Sequence, residues 1–189
     1  MSAPTAPRGA TRRYDPRRRD RIIDACLDVI ADAGVAGTSH RKVAEAADVP
    51  LGSMTYHFVG MDQLLHEAFA RFATTMSEQF AARMTAARDT ESARAVVGDT
   101  IREVFADQRD LVLTHELYTL AARDAAFRDI TNAWMGRSRR LLEEHFDPIT
   151  AQILDALIEG LSIHRALDLH PQDDAVVLEA IDRITGASS

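Results

Sequence analysis

Residues 38–65, TSHRKVAEAADVPLGSMTYHFVGMDQLL, constrain the fold more than any other stretch of the chain. Val43, Ala44 and Ala47 place a small apolar stripe on one short helix. Asp48 and Val49 end that helix, and Pro50 opens a second segment in which Met54 and Phe58 share a face. Two short helices joined by a tight turn form the helix-turn-helix layout, whose second helix enters the DNA major groove. The alanines at 44, 46 and 47 are small enough for the two helices to cross closely. The pattern predicts a DNA-binding protein.

The rest of the chain extends this helical reading. Ile22, Ile23, Cys26, Val29 and Ile30 give a first helix that runs to about Ala33, with Gly34 as its C-cap. Thr38 or Ser39 caps the second helix, and the third spans about Leu51 to His57. From Leu64 the apolar positions keep helical spacing to about Ala87. Further helices are predicted over 93–107, 111–122, 125–146, 148–169 and 172–184. Asp147-Pro148 reads as an N-cap followed by proline in the first turn. No strand alternation and no internal repeat are visible. The expected fold is all-α with about nine helices.

A net charge of −7 looks wrong for a DNA binder until it is divided along the chain. Residues 1–60 carry nine Arg and Lys against seven Asp and Glu, whereas residues 61–189 carry 13 against 22. Local charge sets contact with phosphates, so the basic N-terminal part is the DNA-facing part. Residues 1–16 read as a mobile basic arm, either a solvated tail or a segment that tracks DNA through Arg8, Arg12 and Arg13. Phosphate contact is expected of Arg17, Arg18 and Arg19. Cys26 is the only cysteine, which excludes an internal disulfide and a cysteine-based metal site. It falls on the apolar face of the first helix and reads as a buried structural thiol. The N-terminus lacks the apolar stretch of a signal peptide, and no apolar run reaches the roughly 20 residues of a membrane span. A cytoplasmic protein without membrane partners is expected.

Residues 17–65 resemble the DNA-binding domain of the TetR family of bacterial regulators. The resemblance is carried by Arg21-Ile22-Ile23, Gly37-Thr38-Ser39, the stretch Val43 to Ala47, and Gly52-Ser53-Met54-Thr55-Tyr56-His57-Phe58 before a long helix. More loosely, His40-Arg41-Lys42, PLGSMTYHF and ELYTLAARD are similar to a narrower group within that family. Three positions depart from the family pattern. Met61 stands where a phosphate-touching lysine is usual, Thr55 where an aromatic is common, and Asp48 where the turn usually has glycine.

The resemblance implies a helix-turn-helix domain over 17–62 and a helical ligand-binding and dimerisation domain over 63–189. Expected DNA contacts are Arg17, Arg18, Arg19, Thr38, Ser39, His40, Arg41 and Lys42 around the second helix. Leu51, Gly52, Ser53, Thr55, Tyr56 and His57 are expected on the third. A homodimer would place two recognition helices about one DNA turn, roughly 34–36 Å, apart on a near-palindromic operator in double-stranded DNA. Its interface is expected on the last two helices through Ile153, Leu157, Leu161, Val177 and Ile181; the alternative is that these stripes serve only the monomer core. The family also implies a pocket for a small-molecule effector of unknown identity. Phe72, Met76, Phe105, His115, Tyr118, Trp134 and Met135 are its candidate walls, with Glu116 and Arg123 as nearby polar groups.

The function expected is a repressor that the effector releases from its operator. The alternative is a ligand-independent regulator or an activator of the same fold. An enzyme is not expected. There is no Gly-rich phosphate loop, no HExxH and no cysteine cluster, and the seven histidines show no metal-ligand spacing. No cofactor or metal is expected.

Overall fold

Nine helices, with no strand among them, make up residues 15–186, the part of the chain that the computed structural model describes. The first 14 residues of the expected arm, with Arg8, Arg12 and Arg13, lie outside the described residues. The helices are α1 (Arg18–Ala33), α2 (His40–Ala46), α3 (Gly52–His57), α4 (Met61–Ala86) and α5 (Thr90–Glu103). They continue as α6 (Gln108–Ala121), α7 (Ala125–Glu143), α8 (Pro148–Leu167) and α9 (Asp174–Thr185).

Each helix from α5 to α9 begins on an aspartate. The carboxylates of Asp89, Asp107, Asp124, Asp147 and Asp173 accept first-turn backbone N–H groups that no carbonyl can reach. Apolar periodicity starts after such a polar cap. This is why α5 and α6 begin three residues before the starts predicted from it, at Thr90 and Gln108. It is also why the expected 93–107 helix stops at Glu103: Asp107 belongs to the next helix as its cap.

Hydrogen bonds from the Thr150 side chain and from backbone N–H groups hold the Asp147 carboxyl below its usual range, and Ser92 does the same for Asp89. A carboxyl depressed on folding stabilises above its unfolded pKa and loses that effect as pH falls through the folded one. Asp147→Ala is therefore expected to lower Tm at neutral pH. The gap to the unmodified chain should close on acidification through and below about pH 4, the unperturbed aspartate value. Thermal melts across that range check it, and a pH-independent gap would mean that the cap acts through shape rather than charge.

Two cores form around α4. The first joins Ile22, Cys26 and Ile30 of α1 to Val43, Met54, Leu64, Phe69, Leu113, Leu117 and Phe127. The second joins Met84, at the far end of α4, to Val97, Ile101, Leu142, Leu154, Val177 and Ile181. Burial of this kind contributes about 1.5–3 kcal/mol per large side chain. In the first core burial pushes the Cys26 thiol up to about 12, so it stays protonated and inert, as expected of a structural cysteine.

Within the second core α9 packs on α5 and turns Val177 and Ile181 inward, leaving them 0% and 1% exposed. This corrects their assignment to an intersubunit face. Both belong to the core of a single chain, because the period-3.6 stripe of α9 is consumed by α5.

Candidate nucleic-acid interface and buried cavity

Local chemistry shapes the helix-turn-helix. After α1 the chain turns at Gly34, whose φ of 68° suits glycine. At Gly37 a Cβ would stand 2.2 Å from the Ala33 carbonyl oxygen, so no side chain fits this turn. Thr38 donates its hydroxyl to the Gly34 oxygen at 2.8 Å, and Ser39, the cap of α2, accepts the Lys42 amide at 3.4 Å. In the turn before α3, Asp48 adopts φ of 50°. Aspartate tolerates that left-handed conformation better than most residues, which explains its presence where the related pattern has glycine.

On this scaffold Arg17, Arg41, Lys42, Leu51, Gly52, Thr55 and Tyr56 are exposed. Tyr56 is 82% exposed and meets His57 edge to face, with ring centroids 4.8 Å apart. Lys42 Nζ also donates to the Gly37 carbonyl at 2.7 Å, which ties its charge to the turn. Partial burial, then the charges of Arg18 and Arg19, pull His57 below the usual imidazole range. Positive charge thus gathers where the start of α1 meets the end of α3.

Three expected contacts are placed differently. Ser53 is only 4% exposed and shares the inner side of α3 with Met54, so it does not face a base edge. Arg19 pairs with Glu67 of α4 and lies 5.0 Å over the Phe58 ring, so it braces α1 against α4. His40 is half-buried, with an Nε2 that has no hydrogen-bond partner. Met61, in place of the usual lysine, packs against the first core and offers no charge.

The second site lies where the two cores meet. A cavity of about 80 Å³ is walled by α6, α7, α8 and the link between α5 and α6, and of the candidate residues Phe105, Tyr118, Trp134 and Met135 line it. Tyr118 and Trp134 present near-parallel rings, 17° apart with centroids at 6.5 Å. Met76 instead lines two adjoining cavities, of about 100 and about 80 Å³. Val104 is common to all three, at the non-helical link between α5 and α6.

Phe72 and His115 stand behind the wall. Phe72 is buried edge-on to Trp134 at 5.9 Å. His115 bonds the Leu111 carbonyl through Nδ1 at 2.8 Å and leans on Phe105. Glu116 points away to the Gly34 turn, and Arg123 is exposed.

Sequence reasoning missed the polar part of this cavity: Thr114 on α6 and Asp155, Glu159 and Ser162 on α8. The signal was available, since Asp155, Ile158, Glu159 and Ser162 follow helical spacing along one face. No group of three or more His, Cys, Asp or Glu suited to a metal occurs among the described residues. No helix there is long and apolar enough to cross a membrane.

Known proteins resemble this chain over the same two parts. Residues 22–68 match the model of bacterial regulatory proteins of the tetR family. SCO7518 of Streptomyces coelicolor A3(2), crystallised as a candidate transcriptional regulator, is 57% identical, with 90% of this chain and 99% of that one covered and a TM-score of 0.85. SCO1917 of Streptomyces coelicolor A3, a member of the TetR family, is 36% identical, with coverage of 90% and 99% and a TM-score of 0.72. The multidrug binding protein EbrR, in complex with ethidium, is 35% identical, with coverage of 89% and 98% and a TM-score of 0.75. EbrR complexes with proflavin and malachite green match over similar lengths.

Proposed function

The chain belongs to the TetR family and is a DNA-binding transcriptional regulator, and from that premise we propose that it is a dimeric repressor released from a near-palindromic operator by a small molecule in the α6–α8 cavity. One observation carries this reading. Helix α6 serves both sites: Thr114 and Tyr118 line the cavity, while Arg109 pairs with Asp28 of α1 at 2.8 Å and Glu116 abuts the Gly34 turn. Helix α4 adds a second tie, because Arg71 holds Asp20 and Asp24 of α1. A ligand that displaces α6 therefore moves α1 and, through it, the helix-turn-helix. Such a shift alters the spacing of the two recognition helices in a dimer. That EbrR binds small molecules supports the same reading for this chain.

The intersubunit face follows from what α8 leaves open. Ile149, Ile153, Ala156 and Gly160 recur at helical spacing and are exposed, and Val176 of α9 is exposed as well. Leu157 and Leu161 are half-buried against the second core and take at most a partial share in that face. Two copies joined there form a four-helix bundle.

The test follows operator affinity by fluorescence anisotropy, on DNA from upstream of the gene, with and without a cavity ligand. The ligand is expected to weaken operator binding by about 5–150-fold, the usual range of allosteric coupling. Arg109→Ala should keep both separate affinities within about threefold and shrink the coupling between them. A ligand that occupies the cavity yet leaves operator affinity unchanged would favour a ligand-independent regulator.

A further inference from the structure

The α6–α8 cavity is lined by two carboxylates and by no basic side chain. Asp155 already has an ion-pair partner, since Arg139 Nε donates to its Oδ2 at 2.8 Å. No arginine or lysine among the described residues pairs with Glu159, four residues further along α8. Burial raises the Glu159 carboxyl, the Tyr118 hydroxyl partly offsets this by favouring the charged form, Asp155 adds to the rise, and His115 nearby again favours the charged form. A half-buried carboxylate without an ion-pair partner is costly, and a positively charged occupant in contact with it reduces that cost.

The same wall holds an unused polar group. Thr114 is 2% exposed, and its Oγ1 has no hydrogen-bond partner. Buried hydroxyls nearly always have one, so Thr114 is placed to bond an occupant with a polar edge. Tyr118 and Trp134 complete the site, because near-parallel rings offer faces on which a flat π-system stacks and to which a cation is drawn.

We propose that this cavity binds an organic cation with a flat aromatic body, its charge set against Glu159 and its ring stacked on Tyr118 and Trp134. The assignment rests on the cavity being the effector pocket. At about 80 Å³ the cavity is smaller than such a body. Binding therefore displaces the Val104–Asp107 link and merges the cavity with its two neighbours across Val104, their common wall.

The probes share one ring system and differ in charge: N-methylacridinium, neutral acridine and acridine carboxylate. Each is titrated into the full chain by calorimetry at mildly alkaline pH, without DNA. The cation is expected to bind at least about tenfold more tightly than acridine, and the carboxylate not detectably. Glu159→Gln should erase the preference for the cation while leaving acridine within about twofold.

Equal affinity for cation and acridine, with Glu159→Gln silent, would overturn the charge assignment and leave the cavity as a pocket for neutral ligands. No heat with any probe would overturn the assignment too. Where a probe does bind, Ser138→Phe, which fills the cavity from α7, separates failure of the charge assignment from failure of the pocket itself. Binding that survives it in a chain of unchanged circular dichroism lies elsewhere, and then the effector-pocket reading falls with the proposal.

Discussion

Ile153→Asp is expected to give a folded monomer whose operator affinity has dropped by about a hundredfold or more, because the two half-sites are no longer read by one linked molecule. In the single chain Ile153 is 46% exposed, so a carboxylate there stays hydrated and Tm should move by no more than a few degrees. In the proposed four-helix interface the same carboxylate would be buried beside its symmetry mate without a counter-ion, which is strongly unfavourable. Leu161→Asp is a poorer test, because Leu161 packs partly against its own core and would confound folding with assembly. Sedimentation reports the oligomeric state and anisotropy the affinity. A dimer of undiminished affinity would place the interface away from the exposed α8 stripe.

What the sequence revealed divides along physical lines. The helix-turn-helix was legible because it is built from contacts a few residues apart: Ser39 on the Lys42 amide, Thr38 on Gly34, and Val43 and Met54 on neighbouring inner faces. The helices of the C-terminal part were legible from apolar period, though their starts were set by aspartate caps that carry no hydrophobic signal. Tertiary pairing was not legible. Nothing in the local pattern tells that Arg19 meets Glu67 or that Arg109 meets Asp28.

Helix α8 shows how one strong signal hides another. Its apolar residues Ile153, Leu157 and Leu161 suggested a partner-facing helix, yet the polar face between them, Asp155, Glu159 and Ser162, lines the cavity. Both faces lie in the same twenty residues. On α9 the apolar stripe was real, but α5 rather than a second subunit covers Val177 and Ile181. Ser53 teaches the converse: a polar residue on a recognition helix need not face outward when the helix is short and its inner side must close on Met54 and Phe58.

The residues expected to meet DNA differ in what each side chain is free to do. Arg17 and Arg41 are exposed, whereas Arg19 is engaged with Glu67 and Phe58. Arg17→Ala combined with Arg41→Ala is therefore expected to weaken binding to every DNA sequence alike. It should flatten the dependence of log affinity on log salt by about 0.9 for each phosphate no longer neutralised, up to four in a dimer that carries both changes twice. Thr55→Ala should act differently. Thr55 is exposed, its hydroxyl held at 3.3 Å from the Gly52 carbonyl, and it lies on the recognition helix beside Leu51 and Tyr56. Removing a hydrogen bond to a base there costs about 1–3 kcal/mol at one base pair and changes the ranking of operator variants while leaving the salt slope in place. The two classes separate cleanly when affinity is measured on a set of operator variants at several salt concentrations. An unchanged slope in the arginine double variant would remove Arg17 and Arg41 from the phosphate contacts. Uniform weakening by Thr55→Ala across all variants would move Thr55 from reading bases to positioning the backbone, and sequence discrimination would then fall to Leu51 and the backbone around Gly52.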